Sequence, residues 1–574
     1  MLRRGGPFGV RPASLPALGA VVAAFFAAAA PGALLAGAVG AALLAGTSAA
    51  AASPVIAHGP LADSVAAAVA ELDGQADVGA LAVSLDRGDT LFGLNEDRRL
   101  IPGSNTKIFT TAAFLRRYGP SARFTTTIEA RGRAEQGKKG VRLKGALVLR
   151  PAGVPDVTQI LAPGSKGLLD SLAVLLRAGG LERFEGTLWV DGTLFADEGY
   201  GPGWAVEDVP WSYGTLPNAV MANGNAATLT LVGGSKEVDL ALDPPETPIA
   251  IASRPALLPE GAAGAVDLDR ALGSRWLRVA GAVPRGVTLK KQLSVPEPDS
   301  AAGLWLLGAM RRAGIEVKRA EVRLVPRETL GAGLLGGAGG SGGAPGKGGA
   351  SGKEGAARER AAAADTGWAA VRRDRTSAVL TLLSPPASAM IGVVHALSLN
   401  AEADALLHLL DPSAREKRRA AGLIEARRAA AGAGVDTLDL SLVDGSGLSP
   451  QNLATARALA AWLVAMHRDS TLAAPFREGL AGPGENGTLR RRFPGLDPGA
   501  NLRAKTGTLT NVSSLSGYVT SASGERIAFA VITNGNRGST TSAKQLEERL
   551  VGMLARRGGE AAGMTGSPPP RIPR

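Results

Sequence analysis

The chain has 574 residues, 45% of them hydrophobic and 20% charged, enough for three or four packed units and too apolar for wholesale disorder. Its 63 Lys+Arg exceed 51 Asp+Glu by 12, but no basic block is interleaved with aromatic residues, which argues against nucleic-acid binding. The absence of cysteine removes disulfides, thiolate nucleophiles and Cys-ligated metals, and the four histidines (His58, His395, His408, His467) show no metal-ligand spacing.

The N-terminus reads as an address. Met1-Leu-Arg-Arg and Arg11 form a basic start, Leu15 to Gly46 is uncharged and apolar, and Thr47–Ser53 supplies small residues for a signal peptidase. Residues 1–53 are therefore expected to be an export signal, and the length of the apolar run also fits an uncleaved membrane anchor. A first segment, 54–122, opens with an amphipathic helix (Leu61–Asp73) and a hairpin, Val78–Asp86 into Thr90–Leu94. A helix then starts at Ser104 and stops at Tyr118-Gly119-Pro120.

From 123 to 329 the character changes to short strand-like runs (Arg142–Arg150, Gly186–Val190, Ala227–Val232, Trp276–Val283) between Gly/Pro turns, the pattern of a β-rich insert. Residues 330–366 are Gly/Ala-rich and read as a linker or loop. The stretch 367–556 resumes regular structure, with helical patterns over Ala387–Leu410, Ala414–Ala431 and Thr455–Met466. Strands follow over Asn501–Leu509, Ser513–Thr520 and Arg526–Thr533, then a helix over Ser542–Arg556. A Gly/Pro-rich basic tail, 557–574, ends the chain.

Three short motifs carry chemistry. Ser104-Asn-Thr-Lys107, the only Ser-x-x-Lys in the chain, puts a hydroxyl and an amine one helical turn apart, where the helix N-terminus and neighbouring charges would favour the neutral amine as a base. By itself the pair equally fits a capping serine followed by a solvated lysine. Ser398-Leu-Asn400, the only Ser-x-Asn, lies on an apolar helical stretch and reads either as a pair aimed into a cleft or as a buried cap. Lys505-Thr506-Gly507-Thr508 sits on an expected strand, where the lysine and hydroxyls could meet a carboxylate and the glycine would admit a substrate backbone.

Ser-x-x-Lys, Ser-x-Asn and Lys-Thr-Gly in this order resemble the penicillin-binding proteins and serine β-lactamases. Within them the chain is most similar to the D-alanyl-D-alanine carboxypeptidase/endopeptidase branch, the class C low-molecular-weight penicillin-binding proteins. Those enzymes carry a large insert between the first two motifs, and here 291 positions separate Lys107 from Ser398. The flanks Ile101–Lys107, Ser384-Pro-Pro386, Asp444–Ser449, Asn486–Leu489, Ser516-Gly-Tyr518 and, in the insert, Gly203-Trp204, Tyr213-Gly214 and Asn218–Asn225 also look like that branch. Two departures stand out: Leu149–Asp156 replaces a Gly-Gly-Asp-Pro segment, and Leu399 takes a position where aspartate is common.

The resemblance implies an α/β (α+β) transpeptidase-like domain, an antiparallel sheet flanked by helices and interrupted by the insert. It implies a serine-type D-Ala-D-Ala carboxypeptidase or endopeptidase acting on peptidoglycan in the periplasm or cell envelope, acylated by β-lactams and needing no cofactor or metal. Ser104 would be the nucleophile and Lys107 its base. Ser398 would relay a proton, Asn400 would hold Lys107 and the substrate amide, and Lys505, Thr506, Gly507, Thr508 and Tyr213 would bind substrate. A β-lactamase or esterase on the same fold and an inactive envelope binding protein are the alternatives.

Overall fold

A computed structural model describes residues 57–72, 76–195, 199–326, 377–414, 417–485, 487–536 and 540–558. The expected leader, the whole Gly-rich stretch and all but the first two residues of the basic tail lie outside them. Among the described residues no helix is long and apolar enough to cross a membrane.

The two ends of the chain build one antiparallel sheet of six strands. Its order is Ala57–His58, Thr90–Leu94, Asp77–Ser84, Arg526–Asn534, Val512–Thr520 and Arg503–Leu509. Successive residues of a strand face opposite sides, and both sides here are apolar. Ala80, Ala82, Phe529 and Val531 pack under the helices Ala62–Ala70 and Thr541–Arg556, and Leu81, Ala528, Ala530 and Ile532 pack under a helical layer on the other face. That layer holds Thr106–Tyr118, buried from Thr106 through Leu115, together with Ala387–Leu397, Asn400–His408, Arg418–Gly432 and Ala456–Arg468. Helix Ala456–Arg468 starts where Thr455 Oγ1 accepts the Ala458 N–H at 2.9 Å, an N-cap.

The insert is richer in helix than its turns suggest. A five-stranded sheet (Glu316–Leu324, Leu181–Val190, Val141–Arg150, Thr125–Gln136, Ser377–Leu383) carries the helices Leu168–Ala178 and Pro298–Arg312 over a core that includes Leu172, Phe184, Leu188, Trp305 and Leu306. Two smaller sheets follow, one of three strands (Thr288–Ser294, Ala226–Gly233, Val238–Asp243) and one of four. The boundary expected at 367 needs correction: strand Ser377–Leu383 pairs antiparallel with Thr125–Gln136, so the chain returns through the insert sheet before re-entering the helical layer. The single helical run expected over Ala387–Leu410 is two helices, broken where Ser398 adopts the left-handed conformation (φ 59°).

Candidate active site

Ser104 lies in a single 3₁₀ turn, Gly103–Asn105, that leads into helix Thr106–Tyr118. The turn is pinned to the edge of the sheet by buried polar groups. Asn105 Nδ2 donates to Ser514 Oγ at 2.6 Å, Ser514 Oγ donates to the Pro102 carbonyl at 2.6 Å, and Ser516 Oγ donates to Asn105 Oδ1. Two glycines make the approach close enough. A Cβ on Gly507 would stand 2.4 Å from the Pro102 carbonyl oxygen and 3.0 Å from the Ser104 nitrogen. One on Gly447, whose φ is +79°, would stand 1.9 Å from the Gly103 carbonyl oxygen. The expectation that Gly507 makes room for substrate is therefore revised: the protein's own backbone, the turn carrying Ser104, occupies that space.

Lys107, wholly buried on the first turn of the helix, reaches three acceptors: Ser104 Oγ at 2.9 Å, Asn400 Oδ1 at 2.6 Å and the Ser446 carbonyl at 2.6 Å. Burial pulls its amine down to about 8, against the opposing pull of Asp404, Asp444 and Glu402. The neutral amine is thus favoured by desolvation, and the neighbouring charges oppose it, the reverse of what sequence reasoning assigned to them. The left-handed turn at Ser398 aims its hydroxyl at the strand Arg503–Leu509, where Lys505 Nζ donates to Ser398 Oγ at 2.8 Å and to the Thr506 carbonyl at 2.7 Å. Lys505 is also buried, and desolvation, then the nearby Lys107, hold its amine well below the ordinary lysine range. Thr506 and Thr508 alternate with Lys505 and Gly507 along the strand, Thr506 half-buried and Thr508 exposed.

Five residues scattered over four hundred positions thus form two hydrogen-bonded groups, Ser104–Lys107–Asn400 and Ser398–Lys505, whose two amines are near enough for their charges to interact. Residues 61–329 and 364–557 match the D-Ala-D-Ala carboxypeptidase 3 (S13) family. The chain belongs to that family.

Its relatives include the D-alanyl-D-alanine carboxypeptidase of Actinomadura sp. (strain R39), 29% identical over 85% of this chain and 84% of that protein. Another is the D-alanyl-D-alanine carboxypeptidase DacB of Haemophilus influenzae, 23% identical over 83% of this chain and 89% of that one. The crystal structure of penicillin binding protein 4 (dacB) from Haemophilus influenzae shares the fold, with a TM-score of 0.65 at 20% identity over 86% of this chain and 99% of that one. The expected α/β transpeptidase-like architecture is the one observed, and the protein is a serine-type D-Ala-D-Ala carboxypeptidase of the S13 family.

In this S13 site Tyr213 takes part differently from the way sequence suggested. Its side chain is about half exposed and its hydroxyl donates to Asp208 Oδ1 at 3.0 Å, while its main-chain carbonyl accepts Asn400 Nδ2 at 2.9 Å. The sequence also carried signals that went unused. Glu402 and Asp404 follow Asn400 on an otherwise apolar helix, an arrangement that costs too much unless the carboxylates are held, and burial raises both above the usual carboxylate range. Asp404 Oδ1 accepts the Gly445 N–H at 2.7 Å, which ties that helix to the turn supplying the Ser446 carbonyl. Asp156, within one of the two departures from the family pattern, caps the backbone N–H groups of Thr158 and Leu168. Among the described residues no cluster of His, Asp or Glu has the arrangement of a metal site.

Proposed function

We propose that Ser104 is the acylated nucleophile of this D-Ala-D-Ala carboxypeptidase, with Lys107 as its general base. The observation that carries the reading is the 2.9 Å contact between Ser104 Oγ and a desolvated Lys107 amine whose other two neighbours are acceptors. An amine pulled to about 8 is a competent proton acceptor near neutral pH, whereas an ordinary lysine holds its proton. Ser104 Oγ attacks the carbonyl of the D-Ala-D-Ala peptide bond as its proton passes to Lys107 Nζ. The resulting oxyanion is held by the N–H groups of Ser104 and Thr508, which border the junction where the strand of Gly507 meets the Gly103 turn. The C–N bond then breaks, and the leaving amine takes a proton through Ser398, which Lys505 orients. Water attacks the ester, again with Lys107 as base, and restores the free serine.

Substrate recognition follows from the charges. Two buried amines lie near enough for their charges to interact, and Lys505 donates to a hydroxyl and a carbonyl. The terminal carboxylate of the stem peptide supplies the counter-charge, with the hydroxyls of Thr506 and Thr508 beside it. The same chemistry extends to cross-links that end in D-Ala, the endopeptidase reaction, and to β-lactams, whose strained amide acylates Ser104. Peptidoglycan lies outside the cytoplasmic membrane, so this reading puts the enzyme in the cell envelope, and an exported N-terminus would deliver it there. The test is release of D-alanine from a peptide ending in D-Ala-D-Ala and of D-alaninamide from its C-terminal amide. The free acid is turned over, the amide is turned over at least tenfold more slowly, and Ser104→Ala does neither; equal rates on acid and amide would contradict the role of Lys505.

A further inference from the structure

The insert interrupts the chain between the motif that bears Lys107 and the motif that bears Asn400, yet one of its segments, Gly199–Asn225, touches Asn400, one of the three hydrogen-bond partners of the Lys107 amine, and Asp444, in the turn that supplies another. The first contact is the Tyr213 carbonyl, which accepts Asn400 Nδ2 at 2.9 Å and so fixes the amide with its oxygen toward Lys107. The second is Trp204, whose indole Nε1–H donates to Asp444 Oδ2 at 2.9 Å. Asp444 is fully buried and organises the turn 444–449. Its oxygens accept the Gly447 N–H and Ser449 N–H, both at 2.7 Å, and Asn452 Nδ2 at 2.8 Å. From that turn come the Ser446 carbonyl on Lys107 and the Gly447 backbone against the Gly103 carbonyl.

We propose that the insert segment Gly199–Asn225 is a clamp on the catalytic lysine, with Trp204 as a positioning residue that acts through Asp444 and with the Tyr213 carbonyl as its second jaw. The inference rests on Lys107 being the base. The indole N–H is one of four donors on a carboxylate that pulls on the Lys107 proton. With that donor gone, the Asp444 charge is less offset and holds the proton on Lys107 more firmly. The other charged and titratable groups facing Lys107 are Glu402 and Asp404 on helix Asn400–His408, Lys505 on strand Arg503–Leu509 and His395 on helix Ala387–Leu397, whereas the Trp204 N–H bonds to Asp444. The insert thereby gains a role in the chemical step in addition to any part it has in recognising the wall.

The test compares the pH dependence of second-order acylation by a chromogenic cephalosporin for the wild type, Trp204→Phe, Asn452→Ala and Trp305→Phe. Trp305 is a second insert tryptophan with a bonded N–H, to Thr247 Oγ1 at 3.0 Å, and serves as the structural control. Trp204→Phe and Asn452→Ala each remove one donor from Asp444, so the acid limb moves up by about half a pH unit or more, with about a threefold to tenfold loss near pH 7 that recovers at high pH. Trp305→Phe leaves the limb in place even if its melting temperature falls. A limb unmoved in folded Trp204→Phe overturns the proposal while leaving Ser104 as nucleophile, and should Trp204→Phe fail to fold, an unmoved limb in Asn452→Ala overturns it equally. A wild type that is not acylated at all removes both this inference and the reading beneath it.

Discussion

At the residue scale the site turns on how two lysines are kept usable inside a protein. Both are fully buried, and among the described residues neither has a carboxylate at contact distance; each amine instead donates to hydroxyl and carbonyl oxygens. Desolvation lowers the proton affinity of Lys107 and the three nearby carboxylates partly restore it. The sign of the pH dependence follows. Lys107 must be proton-free to accept from Ser104, so kcat/KM for acylation rises with pH through an acid limb near 8 in the free enzyme. Asp404→Asn keeps an acceptor for the Gly445 N–H but removes a charge that stabilises the protonated amine, so the limb moves down and acylation near pH 7 increases about threefold. A limb that moves up, or does not move, would show that Asp404 acts on Lys107 other than through its charge. That Ser104 and Lys107 meet was legible from their spacing, whereas the pairings of Asn400 with Lys107 and of Ser398 with Lys505 join motifs distant in sequence, the first expected only from the family resemblance and the second not expected. The electrostatic reason for Lys107 was not legible, since burial is a property of ten consecutive residues packed on all sides and leaves little trace in a helix that includes three threonines and two arginines.

At the scale of elements, the central fact is that the strand Arg503–Leu509 and the turn Gly103–Asn105 meet backbone to backbone. Gly507 permits it, and the Ser514, Ser516 and Asn105 side chains lock it. Gly507→Ala pushes a methyl into the Pro102 carbonyl and the Ser104 nitrogen, neither of which can turn aside. The turn and strand separate, the two oxyanion donors no longer converge, and kcat falls by about 100-fold, with a smaller change in KM. Steady-state kinetics on a D-Ala-D-Ala peptide checks this, and a fall in affinity with kcat preserved would return the glycine to the substrate-contact role that its motif suggests. Strands and helices of the catalytic part were mostly readable from periodicity, to within a few residues. The break at Ser398 was not: Leu399 continues an apolar run, and a non-glycine residue at positive φ has no sequence mark.

At the scale of the whole molecule, the insert and the catalytic part are joined by more than the chain. Strand Ser377–Leu383 belongs to the insert sheet although it follows the long Gly-rich stretch, and Trp204 and the Tyr213 carbonyl bond to Asp444 and Asn400 of the catalytic part. Sequence announced the insert by its Gly/Pro turns and its place between motifs, but missed helix Pro298–Arg312, whose apolar face is interrupted by small residues, and helix Leu168–Ala178, although its buried Leu169, Leu172, Ala173 and Leu176 recur at helical spacing. The joining has a consequence for stability. Phe184 is fully buried in the insert core, and Phe184→Ala costs about 3–5 kcal/mol there. Calorimetry beside acylation rates measured across temperature will find acylation lost at the transition that melts the insert; acylation that outlasts that transition would show the catalytic part to be independent of it.

The most direct test of the account is intact mass after incubation of residues 54–574 with benzylpenicillin, for the wild type and for Ser104→Ala. The account predicts one stable penicilloyl adduct on the wild type, carried by the peptide that contains Ser104, and none on the variant. An adduct that survives Ser104→Ala, or penicillin consumed with no adduct on the wild type, would contradict it, the second pointing to a β-lactamase on the same fold.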